Sequence, residues 1–168
     1  KHVGYSEDSK LEARFDITKY VKQGENLIYG RILKKYDIHF IYELKEKCFK
    51  WYIEKIYGWN KNTQIELTKK EMSDHLADMS IIQYEGKDIG LFTFYYDDMG
   101  DACIGMFAIL PDYQGMGIGT QILTNVLKEN KDVRIYLKTY KENPARNLYQ
   151  RVGFKKYDET ETHWLMER

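Results

Sequence analysis

Three glycines at alternate positions stand between an apolar run and a helix-like segment, in the stretch LPDYQGMGIGT of residues 110–120. Residues without side chains let successive backbone N–H groups point outward at a helix N-terminus, where the helix dipole favours negative charge. A phosphate or pyrophosphate is therefore the ligand that this loop is suited to bind. The alternative is that the glycines only make a tight turn from a strand into a helix.

Two common nucleotide-binding motifs do not fit the spacing of these glycines. A P-loop has the pattern GxxxxGK[ST], but Thr120 follows Gly119 directly and the next lysine is Lys128. A dinucleotide-binding fingerprint has the pattern GxGxxG, whereas Gly115, Gly117 and Gly119 are spaced GxGxG. The spacing thus argues against nucleoside-triphosphate hydrolysis and against dinucleotide binding of this type.

A second motif, NPARNLYQRVGF, occupies residues 143–154. Asn143 is a suitable N-cap, Pro144 fits the first helical position, and Gly153 suits a left-handed stop. The helix between them places Tyr149 at the margin of its apolar face. A tyrosine at a helix margin is commonly structural, but its hydroxyl can also move a proton.

Two helices are predicted ahead of these motifs. In residues 36–58 Asp37 is a candidate N-cap and Gly58 a stop, and apolar residues recur at steps of three and four. These residues are Ile41, Leu44, Cys48, Trp51 and Tyr52. A second, more polar helix in residues 60–78 has one side lined by Ile65, Thr68, Met72 and Leu76.

Strands account for most of the remaining chain. Residues 79–96 read as two apolar runs joined by a turn at Glu85 to Lys87, which predicts a hairpin, and ACIGMFAIL follows as the next strand. Further strands are predicted at VRIYL, KKYDET and THWLMER, with a first one at NLIYGRIL. The order predicts an α+β fold, a mixed and mostly antiparallel sheet covered by helices on both faces.

The composition limits the classes of partner. The 168 residues carry 26 basic and 26 acidic side chains, so the chain lacks the long-range field of a nucleic-acid or anionic-membrane binder. No run of about 18 apolar residues and no signal segment is present, which favours a cytoplasmic protein. Cys48 and Cys103 stand far apart with no histidine at metal spacing, so no metal site is expected.

Both motifs together resemble the GCN5-related N-acetyltransferase (GNAT) family. Gln114, Gly117 and Gly119 match its [RQ]xxGx[GA] signature, FAILPDY is similar to its fourth strand and exit, and NPARNLYQRVGF is similar to its second signature. The resemblance covers about residues 27–168. It implies an acetyl-CoA-dependent N-acetyltransferase that transfers acetyl directly to a primary amine of a small molecule or peptide, without a covalent acyl-enzyme.

The resemblance also implies a role for each matching residue. The pantetheine arm would lie along the fourth strand, the pyrophosphate over the glycine loop, and the Tyr149 hydroxyl near the thioester sulfur, where it protonates the departing thiolate. Asn143 would contact the pantetheine amide or a water while it caps its helix. The cofactor-binding residues so implied are Phe107, Ala108, Ile109, Gln114, Gly115, Met116, Gly117, Ile118, Gly119, Thr120 and Asn143.

The acceptor side is less determined by the sequence. The family builds acceptor specificity around the first two helices, which suggests Trp59 and Gln64 in GWNKNTQ, and the last strand adds His163 and Trp164. Cys103 has no neighbouring histidine and is not expected to be a nucleophile. The general base stays open among a relayed water and four side chains, Glu54, Glu66, His75 and Asp101.

Residues 3–28 do not resemble an acetyltransferase. They are similar to a fragment of the sugar-binding β-sandwich of β-galactosidase-type glycoside hydrolases, through GYSEDSK, FDIT and GEN. We therefore divide the chain into an N-terminal extension, residues 1–26, and a transferase domain, residues 27–168. We expect the protein to be a monomer, or a homodimer whose formation the extension promotes. Two other functions stay open: a non-catalytic acyl-CoA-binding or sensing module, and a carbohydrate-binding protein.

Overall fold

The structure, a computed structural model, describes residues 28–168, and its central feature is a sheet of seven strands in the order β1-β2-β3-β4-β5-β7-β6. Strands β4 and β5 are parallel, and all other neighbours are antiparallel. The strands are β1 Ile28–Ile32, β2 Met79–Tyr84, β3 Lys87–Tyr96, β4 Ala102–Ile109, β5 Ile135–Tyr140, β6 Lys155–Glu159 and β7 His163–Glu167. The predicted extension and the start of NLIYGRIL lie outside the described residues.

Helices cover the sheet on both faces, as the sequence predicts. They are α1 Ile38–Tyr57, α2 Lys61–His75, α3 Ile118–Glu129 and α4 Ala145–Arg151. One face of β3 packs Leu91 against Leu44 of α1 and its neighbours, and the other packs Phe92 and Phe94 against the α3 stripe that contains Ile122. Burial on both faces explains why residues 89–94 of β3 are buried without interruption and mostly apolar, instead of alternating.

Three local signals of the sequence are confirmed. Gly58 ends α1 with φ 76°, and its N–H donates to the Glu54 carbonyl at 3.0 Å. Gly153 follows α4 with φ 100°, although this helix begins one residue later than predicted, with Pro144 as its N-cap and the Asn143 Oδ1 accepting from the Ala145 N–H at 2.9 Å. The hairpin turn falls at Glu85 and Gly86, between β2 and β3. These signals depend on residues a few positions apart, so they do not need the rest of the fold.

Asp37 occupies the N-cap position of α1, as predicted, but its side chain does not cap the helix. Its carboxylate makes no side-chain bond to the helix and instead accepts from the Lys34 N–H and from both terminal nitrogens of Arg31, at 2.7 to 2.9 Å. Arg31 also reaches Asp88 on β3 at 2.7 Å. Asp37 is only 3% exposed, so the guanidinium ties a buried carboxylate to two strands.

The apolar stripes of the first two helices also differ from the prediction. Ile41 and Leu44 are buried, but Trp51 is 61% exposed and lies edge-on to Tyr52. On α2 the buried side runs through Gln64, Thr68 and Met72 at steps of four, and Ile65 is only half-buried. A glutamine therefore occupies an inward position of α2 that the periodicity assigned to its neighbour.

Strands β4 and β5 separate soon after they meet. They pair only at Ala102 with Ile135 and Cys103 with Tyr136. Beyond Cys103, β4 carries a bulge opposite Thr93, where two of its residues face one of β3. The β5 strand continues to Tyr140, past the predicted VRIYL, without rejoining β4. A wedge-shaped gap thus opens in the middle of the sheet.

The Arg31 ion pairs generate a prediction about stability. Arg31→Ala leaves the buried Asp37 carboxylate without its cation, and we expect the free energy of unfolding to fall by about 2–3 kcal/mol. Urea unfolding at pH 7 measures it. Lys69→Ala breaks an exposed ion pair with Glu66 and is the control, with a much smaller loss expected. Equal losses in both variants would contradict the assignment.

Candidate active site

The gap between β4 and β5 opens into two connected cavities. One, of about 430 Å³, lies beside the glycine loop and is called the loop groove. The other, of about 630 Å³, lies between α1, α2, β4, β5 and β7 and is called the central cleft. Five residues line both cavities, namely Phe49, Phe107, Asn143, Ala145 and Tyr149. A molecule extended along the loop groove can therefore reach a molecule in the central cleft at this junction.

The loop groove gathers nearly all residues that the sequence assigned to a cofactor. Met116 is absent from its lining and is 52% exposed. The predicted residues that do line it are Phe107, Ala108, Ile109, Gln114, Gly115, Gly117, Ile118, Gly119, Thr120 and Asn143. Residues from β4, the loop, α3 and the start of α4 thus meet in one cavity.

The backbone of the loop requires its glycines. Gly115 and Gly117 have φ of 75° and 81°, a left-handed conformation that other residues rarely adopt, and Gly117 is the N-cap of α3. Gly119 leaves room for α4, since a Cβ there would lie 3.2 Å from the Leu148 side chain, a tight contact. The first N–H groups of α3 have no partner within the helix, so they are available to an anion in the groove.

The edge of β4 that faces the gap is only partly satisfied by the protein. The Ile109 carbonyl accepts from the Gln114 side-chain amide at 2.8 Å and from the Cys48 thiol at 3.3 Å. Residues 104–108 have no strand partner on this side among the described residues. An extended ligand can pair with such an edge as an additional strand does. Burial raises the pKa of Cys48 to about 11, so its thiol stays protonated.

Tyr149 stands at the junction of the two cavities. It is 6% exposed, and its ring packs against Phe154 at a centroid distance of 5.8 Å. Within residues 28–168 no group hydrogen bonds to its hydroxyl, and burial raises its pKa above the ordinary value. The hydroxyl therefore keeps its proton at neutral pH and is free to donate it to a bound molecule.

The pleat of β5 determines which side chains line the central cleft. Tyr136, Lys138 and Tyr140 alternate with buried Leu137 and Thr139 and lie on the face that Tyr52 of α1 covers, since the Tyr52 and Tyr140 rings stack at 5.4 Å. His163 lies opposite Tyr140 on β7, at a ring distance of 4.2 Å. The opposing wall comes from α1 and α2 and includes Lys45, Phe49, Ile53, Tyr57, Gln64, Leu67 and Glu71.

The predicted acceptor residues fall in different places. Gln64 and His163 line the central cleft. Trp59 lines a smaller hollow beside it, to which Gln64 also contributes, and its ring lies 6.1 Å from that of Tyr42. Trp164 packs against the cluster on the α3 and α4 side, with the Arg146 guanidinium 4.9 Å from its ring.

None of the four side chains named as candidate bases lines either cavity. Glu66 pairs with Lys69, His75 stacks on Tyr95 at 4.6 Å, and Asp101 pairs with Arg134, while Glu54 is exposed on α1. The cleft instead holds charged residues that the sequence reasoning missed: Lys45, Glu71 and Lys138. Of these three, only Lys45 could have been noticed in the sequence, because it places a charged residue on the predicted apolar side of α1.

Two titratable side chains in the central cleft are neutral at pH 7. Burial lowers the pKa of His163, and the nearby Lys138 ammonium lowers it further. Its Nδ1 lies 2.7 Å from the Thr162 hydroxyl. Burial raises the pKa of Cys103, so this residue is a thiol and not a thiolate. Of the two, only the imidazole is suited to accept a proton.

Comparison with known proteins gives a family match over most of the described chain. The model of the acetyltransferase (GNAT) family matches residues 38–154. A relative from Haemophilus influenzae, named [ribosomal protein bS18]-alanine N-acetyltransferase, is 26% identical over 125 residues, which are 73% of this chain and 77% of the relative. The β-galactosidase of Kluyveromyces lactis is 31% identical over 81 residues, but these are 48% of this chain and only 7% of that protein.

Solved structures share the fold. A PaiA N-acetyltransferase from Thermoplasma acidophilum, in complex with coenzyme A, gives a TM-score of 0.62 at 20% identity, over 84% of this chain and 98% of that one. Naa50 of Arabidopsis thaliana, in complex with the bisubstrate analogue CoA-Ac-MVNAL, gives a TM-score of 0.62 at 17% identity, with the same coverage.

Two further properties concern residues 28–168 alone. None of their helices combines the length and the apolar composition that crossing a bilayer requires. Their histidine, cysteine, aspartate and glutamate side chains do not come together in threes or more in a way that would hold a metal ion.

Proposed function

This chain belongs to the acetyltransferase (GNAT) family and is an acetyl-CoA-dependent N-acetyltransferase, and we propose that it transfers the acetyl group directly to a primary amine of a small molecule or peptide. The observation that carries the proposal is the junction at Tyr149, where the loop groove and the central cleft meet. A donor in one cavity and an acceptor in the other would be held within reaction distance there.

The donor would be bound mainly by backbone groups. The pyrophosphate lies over the amides of residues 114–120, where the N-terminus of α3 supplies positive potential without a lysine. The pantetheine arm pairs with the free edge of β4 at residues 104–108. The Asn143 side chain keeps its Oδ1 on the Ala145 N–H, which leaves its NH₂ to donate to an amide carbonyl of that arm.

The proposed chemistry is direct attack. The nitrogen of a neutral amine bonds to the thioester carbonyl carbon, the C–S bond breaks, and the sulfur leaves with the electron pair. The Tyr149 hydroxyl donates its proton to that sulfur, and a base takes one proton from the nitrogen, so that products are an acetamide and the free thiol of CoA. Solvent water then carries the proton from the base back to Tyr149, which restores both groups.

We assign the base to His163. It lines the central cleft and is neutral at pH 7, and when Nδ1 donates to the Thr162 hydroxyl its Nε2 is the acceptor. Glu71 is a weaker base, because its carboxylate accepts from the Lys45 ammonium at 2.9 Å.

The relatives bear on the acceptor as well. The name of the Haemophilus influenzae protein gives an alanine of a ribosomal protein as its substrate, and the analogue bound to Arabidopsis Naa50 joins CoA to the peptide MVNAL. The central cleft, with about 630 Å³, has room for the first residues of a peptide. We therefore propose short peptides with a free N-terminus as the first acceptors to assay.

The Tyr149 hydroxyl provides the main test of function. Wild-type protein should release CoA thiol from acetyl-CoA only when an amine is present, whereas a binding module would bind CoA without releasing thiol. Tyr149→Phe should lower kcat about 100-fold and change the Kd for CoA less than threefold, because it removes a proton donor and no protein hydrogen bond. Tyr29→Phe removes a hydroxyl outside both cavities and is the control. An unchanged kcat in Tyr149→Phe excludes it as the acid.

The left-handed glycines provide a second test. Alanine at φ 81° costs about 1–2 kcal/mol, which the backbone relieves by turning away from this conformation. The turn moves the loop amides away from the pyrophosphate, so Gly117→Ala should weaken CoA binding about tenfold. Gly100→Ala is a matched control with φ 83° in the turn before β4, and neither position has an atom within 4 Å of a new Cβ. Calorimetric titration with CoA compares the two. Similar CoA affinities in both variants would refute the loop as the pyrophosphate site.

The base assignment predicts a pH profile. The α-amino group of a peptide has a pKa of about 8, so log kcat/KM should rise with slope one below it. Protonation of His163, whose pKa is lowered below 6.5, should steepen the slope towards two at lower pH. His163→Gln should lose the steeper limb and about 100-fold in kcat. His39→Gln, a control on the exposed start of α1, should keep the steeper limb and the wild-type kcat. If the steeper limb persists in His163→Gln, the His163 imidazole is not the base.

A further inference from the structure

The charges that border the central cleft do not balance. Among the described residues that line it, Lys45 and Lys138 are cationic and Glu71 is anionic. The Lys45 Nζ lies 2.9 Å from the Glu71 Oε1, and the lysine side chain is nearly buried, so these two charges compensate each other. His163 adds no charge at neutral pH. Among the described residues that line the cleft, Lys138 is therefore the cation whose charge no carboxylate compensates, and it can attract an anion.

The position of Lys138 directs its charge into the cleft. It lies on β5 between Tyr136 and Tyr140, on the face towards α1, and it pairs in register with Leu165 of β7, which also lines the cleft. Its side chain is exposed and makes no ion pair within residues 28–168. Its ammonium contributes to the lowered pKa of His163 on β7 and opposes the rise that burial causes in the pKa of Cys103 on β4, the strands at either side of β5. The charge is therefore near the centre of the cleft floor.

We propose that Lys138 binds a carboxylate of the acceptor, so that the preferred substrates are amines that carry an acidic group, and not polyamines. The inference rests on the proposed function, because it names the acceptor class of that same site. A polyamine would bring several cations beside an unpaired ammonium, whereas a carboxylate would neutralise it.

The carboxylate can come from two sources: the α-carboxylate of a free amino acid, or an acidic side chain next to a peptide N-terminus. Their shared chemistry is an anion close to the amine. A dipeptide amide tests the side chain without the α-carboxylate, since Ala-Glu-amide and Ala-Gln-amide have the same length and the same N-terminus. Alanine and alaninamide test the α-carboxylate in the same way.

The experiment measures kcat/KM for both acceptor pairs, and for spermidine, with wild type, Lys138→Gln and Lys138→Glu. For the pair that matches the source, wild type should prefer the acidic member about fivefold at low salt, Lys138→Gln should lose that preference, and Lys138→Glu should reverse it. The preference should fade as NaCl is raised. Lys131→Glu, an exposed lysine before β5, makes the same charge change outside both cavities and should keep the wild-type ratios.

Ratios that stay the same in Lys138→Glu for both pairs overturn the inference, as does a wild-type preference for spermidine. The same acceptors are also titrated into the CoA-bound protein. Binding can be measured without turnover, so it tests the anion site separately from the proposed transferase activity. Selective binding of the acidic members without turnover would contradict transferase activity and retain the anion site. Equal binding of acidic and neutral members, with turnover present, would contradict the anion site alone.

Discussion

The divergence of β4 from β5 is the constraint on which the rest of the site depends. Two parallel strands that pair at only two positions leave backbone N–H and C=O groups without partners in the middle of a sheet. Such groups are costly when they are buried away from water, so the gap has to admit solvent or a ligand that can pair with them. An extended ligand with amides at regular spacing satisfies the β4 edge as a strand would. The proposed place of the donor therefore follows from backbone geometry before any side chain is considered.

The same divergence explains why the glycine loop and the start of α4 lie next to each other. Both parallel strands point their C-terminal ends to the wide end of the gap, so the glycine loop after β4 and Asn143 after β5 come together there. Gly119 allows α3 and α4 to approach, since Leu148 would meet a Cβ at that position. Tyr149, one residue further along α4, then reaches the junction of the two cavities. Positions distant in sequence are thus brought to one point by strand direction and close helix packing.

Much of this fold could be predicted from the sequence, but only part of the site. The hairpin, the order of helices and strands along the chain, several helix ends and the glycine loop follow from periodicities and turn signals that act over a few residues. Asp37 shows the limit: its position before α1 predicts a cap, but Arg31 on a neighbouring strand takes its carboxylate. The candidate bases show the same limit. None of the four side chains that the sequence suggests as a base lines the cleft, whereas Lys45, Glu71 and Lys138 meet there from two helices and a strand.

Donor and acceptor differ in how a sequence can encode them. In the proposed binding mode the donor is held largely by backbone groups, and backbone geometry leaves a local signature, because only glycine adopts the conformations of Gly115 and Gly117 without strain. The central cleft, proposed for the acceptor, is lined by side chains from α1, α2, β5 and β7, so no one short motif contains them all. A substitution at one such position, Lys138 for instance, changes the charge of the cleft and leaves the loop, the caps and the β4 edge intact. Acceptor preference can therefore diverge within this fold while the donor motif stays constant, and charges on the cleft floor are a better guide to the acceptor than overall identity to a relative.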